Sequence, residues 1–190
     1  MVLVDLVARA GLDVPVYYLE TDLLFAETHE LIARVHERYG IEALPVRTEL
    51  SLEAQAAAYG NELWARDPDR CCALRKVEPQ RRFLASYGAW ITGLRRDQAD
   101  TRKDVPFVQW DDRSGGLVKI APLADWTERD VWAYLVRHDV PYNVLHDRGY
   151  PSIGCVPCTR SVKPGEDLRA GRWAGTEKVE CGLHASSGAR

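Results

Sequence analysis

The cysteines are the residues of this sequence whose types and spacing most directly indicate chemistry. Four of the 5 cysteines form two pairs, Cys71-Cys72 and Cys155-x-x-Cys158. Four thiolates suit either a structural zinc or an iron–sulfur cluster. Neighbouring helical residues point about 100° apart and reach one tetrahedral ion poorly, whereas the separate iron corners of a cubane accept them more easily. Two buried apolar cysteines or a vicinal disulfide remain alternatives.

Cys181 lies apart from these pairs, in the segment KVECGLH near the C-terminus. A cysteine in a polar terminal segment has no core to fill, and Gly182 gives the backbone beside it extra freedom. A protonated His184 and Lys178 would favour the thiolate, while Glu180 would oppose it. The segment is therefore typical of either a nucleophile or an incidental exposed thiol.

Basic side chains flank all three cysteine elements, although the formal net charge of the chain is −3. Guanidinium groups match the oxygens of phosphate and sulfate, so we expect an anionic substrate near the cysteines. A solvated surface is the alternative for any single arginine. These cations are Arg75 and Lys76, then Arg95, Arg96, Arg102 and Lys103, and finally Arg160, Lys163, Arg169 and Arg172.

Composition places the chain among ordinary globular domains of 190 residues, with 46% hydrophobic and 28% charged residues. The acidic balance gives no bias toward nucleic acid or membrane surfaces. The sequence has no run of about 18 apolar residues, so no membrane span is predicted. The first residues do not resemble a secretory signal. An odd number of cysteines without an export signal favours a cytoplasmic protein with reactive or ligating thiols.

Alternating strand and helix patterns predict an α/β domain with a largely parallel sheet flanked by helices. Ser51 and Asp69 are expected to cap helices, Thr127 and Asp130 to form a capping box, and Gly40 to end a helix. Pro79 is expected to break or restart the helix that carries Cys71 and Cys72. Strands are predicted at 14–19, 41–46, 89–94, 105–110 and 117–120, the last two as a hairpin. Helices are predicted at 24–39 and 127–138, after Ser51 and after Asp69.

Ligands of parallel α/β sheets bind at the carboxyl ends of strands. Two polar segments, ETD at 20–22 and RRDQ at 95–98, fall at such ends. We therefore expect both segments to border a binding site.

Taken together, these residues resemble the assimilatory adenylyl-sulfate reductases of the thioredoxin-dependent, iron–sulfur type. The matching segments occur in family order over nearly the whole chain. They are LETD at 19–22, CCALRK at 71–76, GLRRDQ at 93–98, WTERDVW at 126–132, YPSIGC at 150–155, RAGRW at 169–173 and ECGLH at 180–184.

The resemblance implies an enzyme of sulfate assimilation and cysteine biosynthesis that carries a 4Fe–4S cluster. Its ligands would be Cys71, Cys72, Cys155 and Cys158. Cys181 would attack the sulfur of adenosine 5′-phosphosulfate, AMP would leave, and thioredoxin would release sulfite from the resulting thiosulfonate.

The resemblance also implies roles for further residues and a fold of the adenine-nucleotide alpha-hydrolase-like, PP-loop type. Lys76 would link cluster and substrate. Residues 1–168 would form the nucleotide- and cluster-binding domain, and 169–190 a mobile tail that carries Cys181. The positions expected around the phosphosulfate are Arg95, Arg96, Arg169, Arg172 and His184, and those expected near the adenosine are Leu19 and Thr21.

One feature departs from the family pattern, because the family fold opens with a strand and a Ser/Gly-rich phosphate loop. Here the sequence MVLVDL already has the pattern of the helix that should follow that loop. We therefore expect the natural polypeptide to extend further at its N-terminus. The departure keeps open an inactive cluster- or zinc-binding module. A reductase of the 3′-phosphorylated nucleotide and assembly into a homo-oligomer also stay open.

Overall fold

The chain folds into alternating helices and strands, and the computed structural model describes residues 1–184. These residues form two compact units. The first comprises Met1–Val16, Leu31–Leu44 and Arg81–Tyr142, and the second comprises Tyr17–Glu30, Pro45–Gln80 and the described residues from 143 onward.

Seven α-helices and five strands occur among the described residues. The helices are α1 (Val2–Arg9), α2 (Ala26–Tyr39), α3 (Leu52–Tyr59), α4 (Leu63–Arg66), α5 (Pro68–Cys72), α6 (Glu78–Leu84) and α7 (Glu128–Arg137). The strands are β1 (Tyr17–Glu20), β2 (Leu44–Arg47), β3 (Ala89–Ile91), β4 (Val108–Asp111) and β5 (Leu117–Ile120).

The strands form two sheets and confirm the predicted α/β class. In the larger sheet the order is β3-β5-β4, with β3 parallel and β4 antiparallel to β5. The antiparallel pair is the hairpin predicted from the sequence, with a 3-10 turn at Asp112–Ser114 between its strands. Strands β1 and β2 form a separate two-stranded sheet.

Several helix ends have the predicted caps. Ser51 accepts a hydrogen bond from the backbone N–H of Ala54 at 3.1 Å, at the start of α3. Thr127 and Asp130 form a reciprocal capping box on α7. Gly40 ends α2 in the left-handed region, with φ of +65°. Such short-range signals depend only on neighbouring residues, which explains why the sequence predicts them well.

The prediction that Asp69 caps a helix is wrong. The cap of α5 is Asp67, whose carboxylate accepts a hydrogen bond from the backbone N–H of Arg70 at 2.8 Å. Pro68 takes the first helical position, where the missing N–H costs nothing. Asp69 therefore lies inside the first turn of the helix.

The first unit has a core between α1, α7 and the segments around them. Val2, Leu123 and Leu135 are among its buried residues. Asp5 lies buried beside this core, where its carboxylate accepts hydrogen bonds from the hydroxyls of Tyr39 at 2.9 Å and Tyr134 at 2.6 Å. The buried carboxylate is thus satisfied within the unit.

In the second unit, α5 continues into a π-helix at Ala73–Val77 and then into α6. The backbone N–H of Glu78 bonds the carbonyl of Ala73, five residues back. The predicted restart near Pro79 is confirmed, since α6 begins at Glu78. A π-helical turn shifts the residues that follow it around the helix axis and is frequent at functional sites. None of the helices within residues 1–184 has the length and apolar character needed to cross a membrane.

Candidate functional site

The four paired cysteines all lie in the second unit, and each is a free thiol. Cys71 and Cys72 end α5 and are buried. Cys155 is buried in an antiparallel bridge with Leu24. Cys158, which is partly buried, ends the short 3-10 turn that begins at Val156. Local structures far apart in the chain thus bring the two predicted pairs into one unit.

The paired thiols act on one another electrostatically. The pKa of Cys71 is raised to about 12, first by burial and then by the neighbouring Cys72, Cys155 and Cys158, while Arg75 opposes the shift. The pKa of Cys158 is raised to about 11, mainly by burial and then by the negative charges of Cys155 and Cys72. The neighbouring thiolates thus oppose the ionisation of Cys71 and Cys158, so the deprotonated set needs compensating positive charge.

Lys76 supplies part of that charge. Burial by itself would lower the pKa of Lys76, but the negative fields of Cys155, Cys72 and Cys181 outweigh burial, and the net effect is a raised pKa. Burial raises the pKa of Cys72, Lys76 and Lys178 oppose that shift, and Cys181 contributes a smaller effect that raises the pKa. The predicted nucleophile is therefore within electrostatic reach of both the lysine and the adjacent pair.

Arg172 is a second half-buried cation of this region. Its guanidinium donates to the carbonyl of Ile153 at 3.2 Å. Burial lowers the pKa of Arg172, and the fields of Cys181 and Cys155 oppose that shift. Gly154 allows this placement of the guanidinium, because a Cβ at position 154 would lie 2.6 Å from the Cζ of Arg172.

The segment that carries Cys181 contacts the second unit through ionic groups. Arg169 donates to the carbonyl of Val179 at 2.9 Å and pairs with the Glu180 carboxylate at 3.4 Å. Lys178 pairs with the Asp69 carboxylate. Cys181 itself is partly buried. The predicted division at 168 and the predicted mobility of the tail stay predictions, and residues 185–190 lie outside the described residues.

Two predicted nucleotide-binding residues and His184 also lie in the second unit. Leu19 is half-buried in β1, and His184 is half-buried near the end of the described chain. Thr21 is 0% exposed, and its hydroxyl lies 3.3 Å from the Sγ of Cys155. The structure thus pairs Thr21 with a thiol, a contact that the sequence does not reveal. Its predicted role beside adenosine stays a prediction.

The predicted substrate residues Arg95 and Arg96 belong to the first unit. Arg95 lies 3.7 Å from the Asp97 carboxylate and is largely buried. Arg96 pairs with Asp125 and donates to the carbonyl of Val105 at 2.8 Å. Their predicted place around a phosphosulfate group stays a prediction.

Arg75 has a structural position that sequence analysis missed. It is 1% exposed, and its guanidinium donates to the amide oxygen of Gln55 at 2.8 Å and to the Asp22 carboxylate at 2.9 Å. It also donates to the backbone carbonyls of Thr21 at 3.0 Å and Leu50 at 3.3 Å. Because these protein acceptors engage the guanidinium, Arg75 ties the end of β1 to α3 and the π-helix.

Within residues 1–184, no group of three or more His, Cys, Asp or Glu side chains is arranged to hold a single metal ion. Two buried N–H groups of this region, Nε of Arg172 and Nε1 of Trp173, have no acceptor among the described residues. A buried donor without an acceptor is uncommon and calls for a specific explanation.

Comparison with known proteins identifies the family. Residues 1–161 match the phosphoadenosine phosphosulfate reductase domain. The chain belongs to this family. Membership makes the chain an enzyme and agrees with the resemblance drawn from its motifs.

Similar bacterial proteins carry a more specific name. The chain is 54% identical to the adenosine 5′-phosphosulfate reductase of Halalkalibacterium halodurans, over 97% of this chain and 80% of that protein. It is 50% identical to adenosine 5′-phosphosulfate reductase 2 of Bacillus subtilis, over 97% of this chain and 78% of that protein.

Solved structures confirm the fold. The crystal structure of phosphoadenylyl-sulfate reductase from Candida auris, a phosphate complex, has a TM-score of 0.71 at 32% identity, covering 85% of this chain and 77% of that one. The FMN adenylyltransferase of Candida glabrata has a TM-score of 0.56 at 18% identity, covering 91% of this chain and 57% of that one. The second likeness shows the fold alone, which is the nucleotide-binding α/β type expected of the family.

Replacement of Arg75 by methionine tests the buried network. Asp22, Gln55 and two carbonyls would lose their donor, so we expect the melting temperature of the anaerobically purified protein to fall by about 6–12 °C. Arg70→Met is the matched control, because Arg70 is exposed and its guanidinium donates to the Tyr59 hydroxyl at 3.3 Å. We expect a fall of less than about 3 °C for this variant. Equal melting temperatures for the two variants would contradict the assigned role of Arg75.

Proposed function

We propose that this enzyme reduces adenosine 5′-phosphosulfate to sulfite and AMP in sulfate assimilation. The observation that carries the proposal is the position of Cys181, which shares one unit with the four paired cysteines and acts electrostatically on Lys76 and Arg172. A nucleophilic thiol beside two half-buried cations suits an anionic electrophile. The names of the bacterial relatives support the choice of substrate.

The first step is attack by the Cys181 thiolate on the sulfur of the phosphosulfate. An S–S bond forms, the bond between sulfur and the bridging oxygen breaks, and AMP leaves with the electron pair. A thiolate and a phosphosulfate repel one another, so Lys76, Arg169 and Arg172 offset charge before the sulfur can be approached. His184 stabilises the thiolate when it is protonated.

The second step requires a dithiol reductant, which we propose is thioredoxin. One of its thiolates attacks the Sγ of Cys181, and sulfite leaves with the electron pair of the S–S bond. The second thioredoxin thiol then attacks the mixed disulfide, which regenerates the Cys181 thiolate and leaves thioredoxin oxidised. The two electrons that reduce the sulfonate thus come from thioredoxin.

Binding of the nucleotide is assigned to the remaining predicted residues. Leu19 and Thr21 would border the adenosine, and Arg95 and Arg96 would contribute to binding the phosphosulfate. We place the reaction in the cytoplasm, where a thioredoxin system keeps thiols reduced.

We further assign a 4Fe–4S cluster to Cys71, Cys72, Cys155 and Cys158. The donor set supports it, since four free thiols lie in one unit. Separate iron corners do not require the thiols to converge on one point. The unpartnered N–H groups of Arg172 and Trp173 are further support, because they leave room for an acceptor that the described residues do not supply. When bound, such a cluster supplies fixed negative charge beside Lys76.

The 3′-phosphorylated nucleotide is a second candidate substrate. The Candida auris structure, at 32% identity, is named for that substrate. The bacterial relatives at 54% and 50% identity are named for the nucleotide without the 3′-phosphate, which favours the first candidate.

Formation of a sulfonate adduct tests the proposed reaction. The reduced protein, incubated anaerobically with adenosine 5′-phosphosulfate and no thioredoxin, is expected to gain the mass of one SO₃ group on Cys181. Because a serine hydroxyl is a far weaker nucleophile, Cys181→Ser should gain nothing. Intact-protein and peptide mass spectrometry measure the adduct, and added thioredoxin should remove it as sulfite.

Glu177→Gln is the matched control, because Glu177 is an exposed residue of the same segment. It should form the adduct at the wild-type rate. A parallel reaction with the 3′-phosphorylated nucleotide distinguishes the two candidate substrates. The preferred substrate is the nucleotide that reaches half of the maximal rate at the lower concentration. Wild-type protein that contains its metal and gains no mass with either nucleotide would instead indicate an inactive metal-binding module.

Gly154→Ala tests the placement of Arg172. The new Cβ would overlap the guanidinium, which is the far end of a flexible side chain and can shift while the fold stays intact. Loss of one charge-assisted contact should raise the half-saturating concentration of the nucleotide by about tenfold. Gly88→Ala is the control, because nothing lies within 4 Å of its added Cβ. A half-saturating concentration within about twofold of wild type for Gly154→Ala would remove Arg172 from the binding site.

A further inference from the structure

Three cations surround the indole of Trp173. The Cζ of Arg172 lies 4.4 Å from the ring centroid, the Nζ of Lys178 lies 5.5 Å from it, and the Cζ of Arg169 lies 6.0 Å from it. These distances are within the range of cation–π attraction. One buried aromatic ring, 4% exposed, thus contacts three of the basic side chains around Cys181.

The backbone of Trp173 is held in an unusual conformation. Its φ is +49°, in the left-handed region that bulky residues seldom adopt. The backbone N–H donates to the carbonyl of Cys158 at 3.0 Å, and the carbonyl accepts from the Thr176 hydroxyl at 2.9 Å. A backbone conformation that costs this much free energy persists only where the surrounding contacts enforce it. The contacts fix the ring immediately beside a proposed cluster ligand.

The neighbouring glycine allows this approach. A Cβ on Gly171 would overlap the backbone carbonyl of Arg160. A backbone carbonyl is harder to displace than the end of a flexible side chain. The backbone N–H of Arg160 in turn bonds the carbonyl of Gly171 at 2.9 Å. The strand-like contact between residues 159–160 and 171–172 therefore fixes the position of the backbone that leads into Trp173.

Three cations that converge on one site repel each other, and the described carboxylates offset only part of that repulsion. Glu180 pairs with Arg169 and Asp69 with Lys178, while Arg172 has no carboxylate partner among the described residues. The negative face of an aromatic ring attracts cations without neutralising them. Such a ring can gather positive charge and still leave it available to an incoming anion.

We propose that Trp173 is a positioning residue, which holds Arg169, Arg172 and Lys178 together as one receptor for the phosphosulfate anion. The inference rests on the proposed function for the identity of that anion. The face of the ring is what matters, so phenylalanine should replace tryptophan and leucine should not.

The test compares Trp173→Phe and Trp173→Leu in single-turnover formation of the Cys181 adduct, on holoenzyme with wild-type iron content. Loss of the ring face in Trp173→Leu should raise the half-saturating concentration of adenosine 5′-phosphosulfate by about tenfold or more. The maximal rate should change by less than about threefold, since the nucleophile is untouched. Trp173→Phe should stay within about threefold of wild type in both quantities.

Two results would overturn the inference. Trp173→Leu with a wild-type half-saturating concentration would show that the ring does not organise the cations. Equal losses in Trp173→Phe and Trp173→Leu would assign the effect to the indole N–H or to the shape of the indole instead. Both results require wild-type protein that forms the adduct, so failure of the proposed function is seen separately, as an unmodified Cys181 in wild type.

Discussion

Mutual repulsion among closely spaced thiolates is the constraint on which the second unit depends. Burial and neighbouring thiols both resist ionisation, as the raised pKa values of Cys71 and Cys158 show. The ionised set is stable only if positive charge lies beside it. Lys76 and Arg172, both half-buried, are cations that meet this requirement, and both also feel the field of Cys181. Cys181 is thereby coupled electrostatically to the paired thiols.

Much of the surrounding structure follows from the need to hold these charges at fixed positions. The guanidinium of Arg75 is engaged by structural hydrogen bonds, which tie the end of β1 to α3 and the π-helix. Its neighbour Lys76 is thus left as the cation that faces the thiols. Gly154 permits the close approach of Arg172, and Trp173 contacts the cations of the C-terminal segment. Adjacent basic residues therefore have different roles, which their shared chemistry does not distinguish.

The sequence predicted those features that depend on neighbours in the chain. The cap at Ser51, the box at Thr127 and Asp130, the stop at Gly40 and the hairpin of β4 and β5 are confirmed. Side-chain contacts between distant segments were not predicted, because no local pattern encodes them. Thr21 meets Cys155 across 134 residues, and Arg75 meets Asp22 across 53.

The motifs predicted the family, while geometry separated structural residues from functional ones. The error at Asp69 has a simple cause, since Asp67 also precedes the helix and Pro68 decides between the two by taking the first helical position. The π-helix and the left-handed Trp173 were not predicted either, because both are conformations that local propensity disfavours. The π-helix directly follows Cys72, and the backbone of Trp173 is hydrogen-bonded to Cys158. Departures from local conformational propensity are expected at functional sites.

We propose that four cysteines of one unit bind a single iron–sulfur cluster whose charge is balanced by Lys76 and Arg172. Iron, zinc and acid-labile sulfide analysis of the anaerobically purified chain is the decisive measurement. We expect about four iron atoms and about four sulfides per chain, lost together in Cys158→Ser. One zinc per chain without sulfide, or no metal at all, would contradict it.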